Sequence, residues 1–177
     1  MIAVLLLACG IPREEGAVHA DSAAALPFEC PPLAPYGRSV GDHATDVAST
    51  DCSGIETSIH GLCGAPALIV NWYGWCASCE DNAELARAIA AESAALNVVI
   101  VLDEDPLAHA VDAGFCGDYA DANPTTAQYW MDPGKALEAY GKTDLVLVLE
   151  ADGALAFNRE TSTASAIRAA VDAVLAE

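Results

Sequence analysis

Residues 69–80 read IVNWYGWCASCE: an apolar run, an indole, then two cysteines separated by two residues. This order constrains the chain more than any other feature. Ala67 to Tyr73 is short and rich in branched and aromatic residues, which predicts a buried strand. After Cys76 the spacing turns helical, with Cys79, Ala83, Ala86 and Ala90 on one face and Leu85 and Ile89 beside it. A strand feeding directly into a helix puts Cys76 at the helix N-terminus. Unpaired backbone N–H groups and the positive end of the helix dipole favour a thiolate there, and the thiolate is the attacking form of cysteine. Cys79 lies one turn further in, less exposed, where it can resolve a mixed disulfide. Cys76 is therefore read as nucleophile, Cys79 as resolving thiol and Trp75 as a shield at the rim or a packing residue. The alternative is a structural Cys76–Cys79 staple.

The same reading excludes other chemistries. A zinc site needs a second Cys/His pair at close spacing, but Cys52 and Cys63 are eleven residues apart and His19, His43, His60 and His109 are scattered. The histidines are assigned to tether, turn or surface. No metal or other cofactor is implied. Formal charge is −19, from 26 acidic and 7 basic residues, and such a surface repels nucleic acid and anionic lipid headgroups.

Further strands and helices follow from the pattern. TDCSGIETSIHGLCG predicts a hairpin or strand and turn. NVVIVL (Asn97 to Leu102) and LVLVL (Leu145 to Leu149) are buried strands. Residues 106–122 are expected to be helical with a break near Gly114. Ala151-Asp152-Gly153 is a turn into a return strand, Ala154 to Asn158. From about Ser162, Ile167, Val171 and Val174 share one helical face. Continuous apolar strands alternating with helices indicate an α/β fold around a central mixed sheet, with an N-terminal β-hairpin extension. Trp130, Tyr129 and Tyr140 are expected in the core or on the rim of the site.

The chain begins MIAVLLLAC, too short to span a bilayer. Leu6-Leu7-Ala8-Cys9-Gly10 resembles the bacterial lipoprotein cleavage box. The expected organisation is a signal over residues 1–8, a lipid-carrying Cys9 opening a flexible tether over 9–35, and a domain over 36–177. That places the protein in the periplasm or cell envelope, anchored to a membrane. Six cysteines remain after Cys9, and an even number behind an export signal implies paired thiols. Besides Cys76 and Cys79, four allow three pairings. Cys52 and Cys63 flank the predicted hairpin, which favours Cys52–Cys63 with Cys30–Cys116; the rival is Cys30–Cys63 with Cys52–Cys116.

Strand, aromatic, Trp-Cys-x-x-Cys and helix together resemble the active-site signature of the thioredoxin superfamily. DPGKALEAYGKTDLVLVLEADGAL is similar to the second half of secreted thioredoxin-like thiol oxidoreductases and redoxins. The resemblance implies a thioredoxin-like fold over residues 36–177 and thiol–disulfide exchange with protein disulfide or dithiol clients, fed by an electron donor the sequence does not name. Alternatives within the superfamily are a binding module whose C-x-x-C is only a staple and a metal-centre assembly chaperone. Copper delivery of that kind would want C-x-x-x-C, and a peroxiredoxin would carry Thr where Tyr73 stands.

The resemblance also implies a cis-proline opposite the cysteines, just before the third strand. That position falls on or near Asp144, with Pro124 and Pro133 too far upstream, so a trans or differently shaped loop is expected there. Asp144 at the rim, and Glu80-Asp81 after the motif, should disfavour a charged Cys76 and poise the pair toward reduction or isomerisation.

Overall fold

The computed structural model describes residues 28–176. Two short strands, β1 (Tyr36–Gly37) and β2 (His43–Ala44), pair in parallel with each other, and His43 also bridges Ala154. The remaining strands are β3 (Ala48–Asp51), β4 (Glu56–Ser58), β5 (Ala67–Tyr73), β6 (Asn97–Glu104), β7 (Gln128–Met131), β8 (Leu145–Leu149) and β9 (Leu155–Glu160). They form one seven-stranded sheet in the order β4-β3-β7-β6-β5-β8-β9. Strands β5, β6 and β7 run parallel; β3, β8 and β9 are antiparallel to their neighbours, so the sheet is mixed.

Why β5 and β6 are central is visible in their composition. All seven residues of β5 are buried, as are six of the eight in β6. A strand covered on both faces must be apolar throughout, and parallel pairing needs a crossover, here the helix α1 (Ala77–Glu92). Leu68, Val70, Ile100 and Val146 face a core shared with α1, with α2 (Ala113–Ala122) and with α3 (Ala164–Leu175). On the opposite face Ile69, Val99, Val101 and Leu147 meet Val47, Ile59, Leu62, Leu137 and Tyr140. That face is covered by the N-terminal chain and two 3₁₀ turns, His60–Leu62 and Ala136–Ala139.

The hairpin predicted around TDCSGIETSIHGLCG is β3–β4, added to the sheet through β7. Strand β7 carries no pattern the sequence reading used; Tyr129, Trp130 and Met131 are its buried residues. The helix expected over 106–122 begins only at Ala113. Asp105 accepts hydrogen bonds from the N–H groups of Leu107 (2.8 Å) and His109 (2.9 Å), and Ala108 adopts a left-handed φ of 61°, so the chain turns instead of coiling. Asp112 then caps α2, accepting from the Phe115 N–H at 2.9 Å.

The favoured cysteine pairing is corrected. Cys30 joins Cys63 and Cys52 joins Cys116, with Cα separations of 5.5 and 5.2 Å. The register explains it. Ala48 pairs with Ser58 and Thr50 with Glu56, so Cys52 sits at the hairpin tip while Cys63 lies beyond the far end of β4. The two are at opposite ends of the hairpin, and a bridge needs Cα atoms within about 7 Å. Pairing of Asp51 with Trp130 instead carries Cys52 to β7 and the neighbouring helix α2. Since Cys30 is bound to Cys63, and His43 Nδ1 lies 3.1 Å from the Leu33 carbonyl oxygen, chain ahead of the expected boundary at Tyr36 is tied to the domain. The signal, Cys9, His19 and most of the tether lie outside the described residues.

Among the described residues no helix is long and apolar enough to cross a membrane. His43, His60 and His109 face Asp152, Asp46 and Asp105 in turns and at the surface.

Candidate active site

The site forms where β5 ends. Gly74 follows Tyr73 and bonds its N–H to the Glu104 carbonyl at 2.8 Å. A Cβ at Gly74 would lie 2.5 Å from the Pro106 nitrogen and 2.7 Å from the Asp105 carbonyl carbon, both backbone atoms. Only glycine lets the chain pass there, and the pass aims Trp75 and Cys76 at the surface. Cys76 is the N-cap of α1; its sulfur accepts the Cys79 N–H at 3.2 Å. Cys76 is half-buried and Cys79 fully buried. The two are joined, with Cα atoms 5.3 Å apart.

Trp75 is 49% exposed beside the disulfide. Its ring packs 5.2 Å from that of Tyr73, and its Nε1–H donates to Glu104 at 2.7 Å. Lys135, in a left-handed backbone conformation, bonds the same carboxylate. The Lys135 bond, followed by that from Trp75, holds Glu104 below the usual carboxylate range.

Glu80 is tied to the α2 side of the sheet. Burial pushes its carboxyl up, but bonds from Arg87 (2.7 Å), Trp72 (2.6 Å) and Tyr119 (3.3 Å) outweigh this and hold it low. Its charge is paired with Arg87. Asp81 remains exposed.

Asp144 is buried, immediately before β8, and its φ is 64°. Cis peptide bonds among the described residues precede Pro31 and Pro35 only, so the bond before Asp144 is trans, as expected. Asn82, one turn beyond Cys79, donates its side-chain N–H to the Asp144 carboxylate. Burial pushes this carboxyl up, hydrogen bonding from Ser78 opposes the rise, and the charges of Asp81 and Glu160 add to it. Ser78 Oγ is also 3.5 Å from Cys76 Sγ. Ser78 and Asn82 were not singled out from sequence; their spacing from the cysteines along α1 was the available signal.

A second buried acid lies in the sheet. Asp103 is buried near the end of β6, and neither of its oxygens, nor Asn71 Oδ1, has a hydrogen-bond partner among the described residues. Burial first, then the charge of Asp132, pushes Asp103 up to about 8. A carboxylic acid can donate where a carboxylate cannot, so the neutral form suits the apolar site. The native state thus holds a proton that the unfolded chain releases near its ordinary value of 3.8. Stability from this group is fully present below that value and is lost as pH rises toward about 8. Asp103→Asn should flatten this slope, which is at most about 1.4 kcal/mol per pH unit. Urea unfolding at pH 5 and pH 8.5 reads it; a wild-type slope equal to that of the variant would contradict the assignment.

A surface groove of about 710 Å³ lies among Ser49, Thr57, Asp132 and their neighbours and includes neither Cys76 nor Cys79. Exchange at an exposed sulfur needs no enclosed cavity, so the disulfide and not the groove is taken as the reactive centre.

The sheet, the crossover helix and the disulfide at its N-terminus define a thioredoxin-like fold, and solved structures agree. A protein from Chlorobium tepidum, provisionally described as thiol:disulfide interchange protein DsbE, is similar with a TM-score of 0.63 at 18% identity, over 79% of this chain and 98% of that one. The exposed lipoprotein thioredoxin Etrx1 of Streptococcus pneumoniae has a TM-score of 0.59 at 20% identity, over 73% and 99%. A secreted Mycobacterium tuberculosis disulfide oxidoreductase has a TM-score of 0.56 at 20% identity, over 72% and 95%. No protein-family profile matches the chain. No curated protein matches it either.

Proposed function

We propose that this protein is a thiol–disulfide oxidoreductase, exchanging electrons with protein disulfides or dithiols through Cys76 and Cys79 outside the cytoplasm. The observation that carries the reading is the asymmetry of the pair: a half-buried sulfur on the end of α1 and a fully buried partner joined to it. An accessible sulfur at a helix N-terminus can attack or be attacked, and a buried neighbour closes the cycle. A staple has no need of one exposed sulfur. Two further disulfides agree with an oxidising compartment, and the solved structures similar to this chain include proteins described as a secreted disulfide oxidoreductase and an exposed lipoprotein thioredoxin.

The deciding experiment is equilibration of the full chain in a glutathione series, with the Cys76–Cys79 state read by alkylation and mass spectrometry. A reversible two-electron transition accompanied by insulin reduction is expected. A disulfide that resists reduction and an inert protein would instead favour the binding module. Attachment by lipid at Cys9 is a separate part of the proposal, supported by Leu-Leu-Ala-Cys-Gly. Mass spectrometry after expression in a bacterial host should find Cys9 as the lipidated N-terminus; an unlipidated chain retaining residues 1–8 would refute it.

A further inference from the structure

We propose that Lys135, bonded to the Glu104 carboxylate, fixes the Trp75 indole as an apolar docking surface, which selects clients with an apolar side chain beside the cysteine. This rests on the reading of Cys76–Cys79 as a working couple and names the class of client it prefers. Lys135 and Glu104 are positioning residues, because both act through Trp75.

Glu104 grips both residues that precede Cys76. Its backbone carbonyl accepts the Gly74 N–H at 2.8 Å, and its Oε2 accepts the Trp75 Nε1–H at 2.7 Å. Its other oxygen, Oε1, accepts from Lys135 Nζ. A carboxylate has an oxygen for each donor, whereas an amide has one oxygen for both. The Glu104 side chain is mostly buried, and a charge so placed is costly without a partner. Lys135 is that partner.

The backbone holds Lys135 in place at some cost. Its φ is 53°, in the left-handed region that a side chain with a Cβ disfavours. The Lys135 N–H donates to the Asp132 carbonyl at 2.9 Å, and the Lys135 carbonyl accepts the Glu138 N–H at 3.1 Å. The Asp132 carboxylate caps the same turn, accepting from the N–H groups of Ala136 (3.0 Å) and Leu137 (2.7 Å). The ammonium then closes a ring of contacts. It lies 5.8 Å from the Tyr73 ring centre and 3.9 Å from Glu138, whose carboxylate accepts the Tyr73 O–H at 3.3 Å. Tyr73 in turn packs its ring 5.2 Å from that of Trp75. Backbone strain kept at a residue whose side chain reaches the active-site turn points to a functional demand.

What this ring holds is an exposed aromatic. Trp75 is 49% exposed, and the cores on both faces of the sheet are built without it. The side chain's one polar group, the indole N–H, is spent on Glu104, so the surface left for a partner is apolar. A second exposed apolar side chain, Leu107, follows Pro106, whose backbone abuts Gly74. A ring already held in one orientation loses little entropy on docking. The client residue that covers it is apolar, and it lies close to the client cysteine because Trp75 adjoins Cys76 in the chain.

The test uses pre-reduced full chains and two peptides, each a mixed disulfide with glutathione, identical except for Leu or Ser next to the cysteine. In a single turnover Cys76 Sγ attacks the peptide sulfur and glutathione leaves as a thiol. Cys79 then displaces the peptide thiol as the Cys76–Cys79 bond forms. Two electrons and two protons pass from the protein to the two products. Wild type should reduce the Leu peptide about fivefold faster, the worth of partly burying one leucine. Lys135→Met should at least halve this preference, and Lys135→Arg, which keeps a donor for Glu104, should restore it. Should Lys135→Met fail to fold, Glu104→Gln, which leaves one oxygen for two donors, carries the comparison. Labelling with 5-fluorotryptophan gives three ¹⁹F resonances, from Trp72, Trp75 and Trp130, with Trp75→Phe as the assignment. In Lys135→Met the Trp75 line should shift or broaden while those of the buried Trp72 and Trp130 stay, which also shows that the variant is folded. An unchanged Trp75 line, an unchanged Leu/Ser ratio, or a wild type that reduces both peptides equally would overturn the proposal. A wild type that reduces neither peptide would sink the oxidoreductase reading and the client preference with it. The ¹⁹F lines would still decide whether Lys135 holds Trp75.

Discussion

Cys76→Ser should reduce insulin-reducing activity to the uncatalysed background, while Cys79→Ser should accumulate mixed disulfides with client proteins. The two variants remove the same bond, so a purely structural staple would make them equivalent. Their expected difference comes from burial. Cys76 Sγ sits at the N-terminus of α1 with one backbone N–H on it, whereas Cys79 is fully buried. With Cys76 gone, the remaining thiol cannot approach a client disulfide. With Cys79 gone, the nucleophile still attacks but nothing inside the protein displaces the client, and the intermediate persists. Non-reducing gels with thiol quenching read both outcomes. Full activity in Cys76→Ser, or equal trapping by both variants, would remove the assignment of nucleophile and resolving thiol. Trp75, next to Cys76 in the chain, is held by its bond to Glu104 at 2.7 Å and by packing on Tyr73.

Where the sequence was transparent, the signal was local. Strand β5 coincides with the predicted Ala67–Tyr73 because a continuous apolar run has only one comfortable place, between two covered faces. Helix α1 shows Cys79, Ala83, Ala86 and Ala90 on one buried face, as the 3.6-residue repeat requires. The closing hairpin turns at Gly153 with φ 87°, which the Asp-Gly pair announces. What escaped depends on partners far along the chain. Strand β7 has only four residues, three of them buried in succession, so no alternation marks it. The bridge partners follow from the β3–β7 register, and no spacing between cysteines encodes that register. Asp144 could be suspected from its place before LVLVL, but its partner Asn82 is 62 residues earlier. Asp103 stands at the end of an apolar run, where a terminal acid ordinarily reaches solvent; burial beside Asn71 becomes apparent only once the second face of the sheet is covered.

Loss of the Cys52–Cys116 bridge should be the most damaging change to stability outside the active site. It links residues 64 apart, joining the edge hairpin to α2, and in the chain-entropy account such a closure is worth about 4 kcal/mol. The Cys30–Cys63 bridge closes 33 residues and has a nearly equal entropic worth, a few tenths of a kcal/mol lower. Burial separates them. Cys116 is fully buried in the core shared by the three helices, and Cys52 packs against that core, whereas Cys30 is exposed and Cys63 only half-buried. Removing both inner sulfurs therefore adds lost packing to lost cross-linking. Cys52→Ala/Cys116→Ala should lower Tm by about 8–16 °C for a domain of this size, with the Cys30→Ala/Cys63→Ala protein falling less. Calorimetry of the two double variants, with the Cys76–Cys79 pair kept oxidised, makes the comparison. If the exposed bridge proved the costlier loss, the N-terminal chain and not the β3–β7 junction would be the weak seam of the fold. If neither moved Tm by more than a degree or two, the unfolded chain would already be confined without its bridges, and the entropic account would fail for this protein.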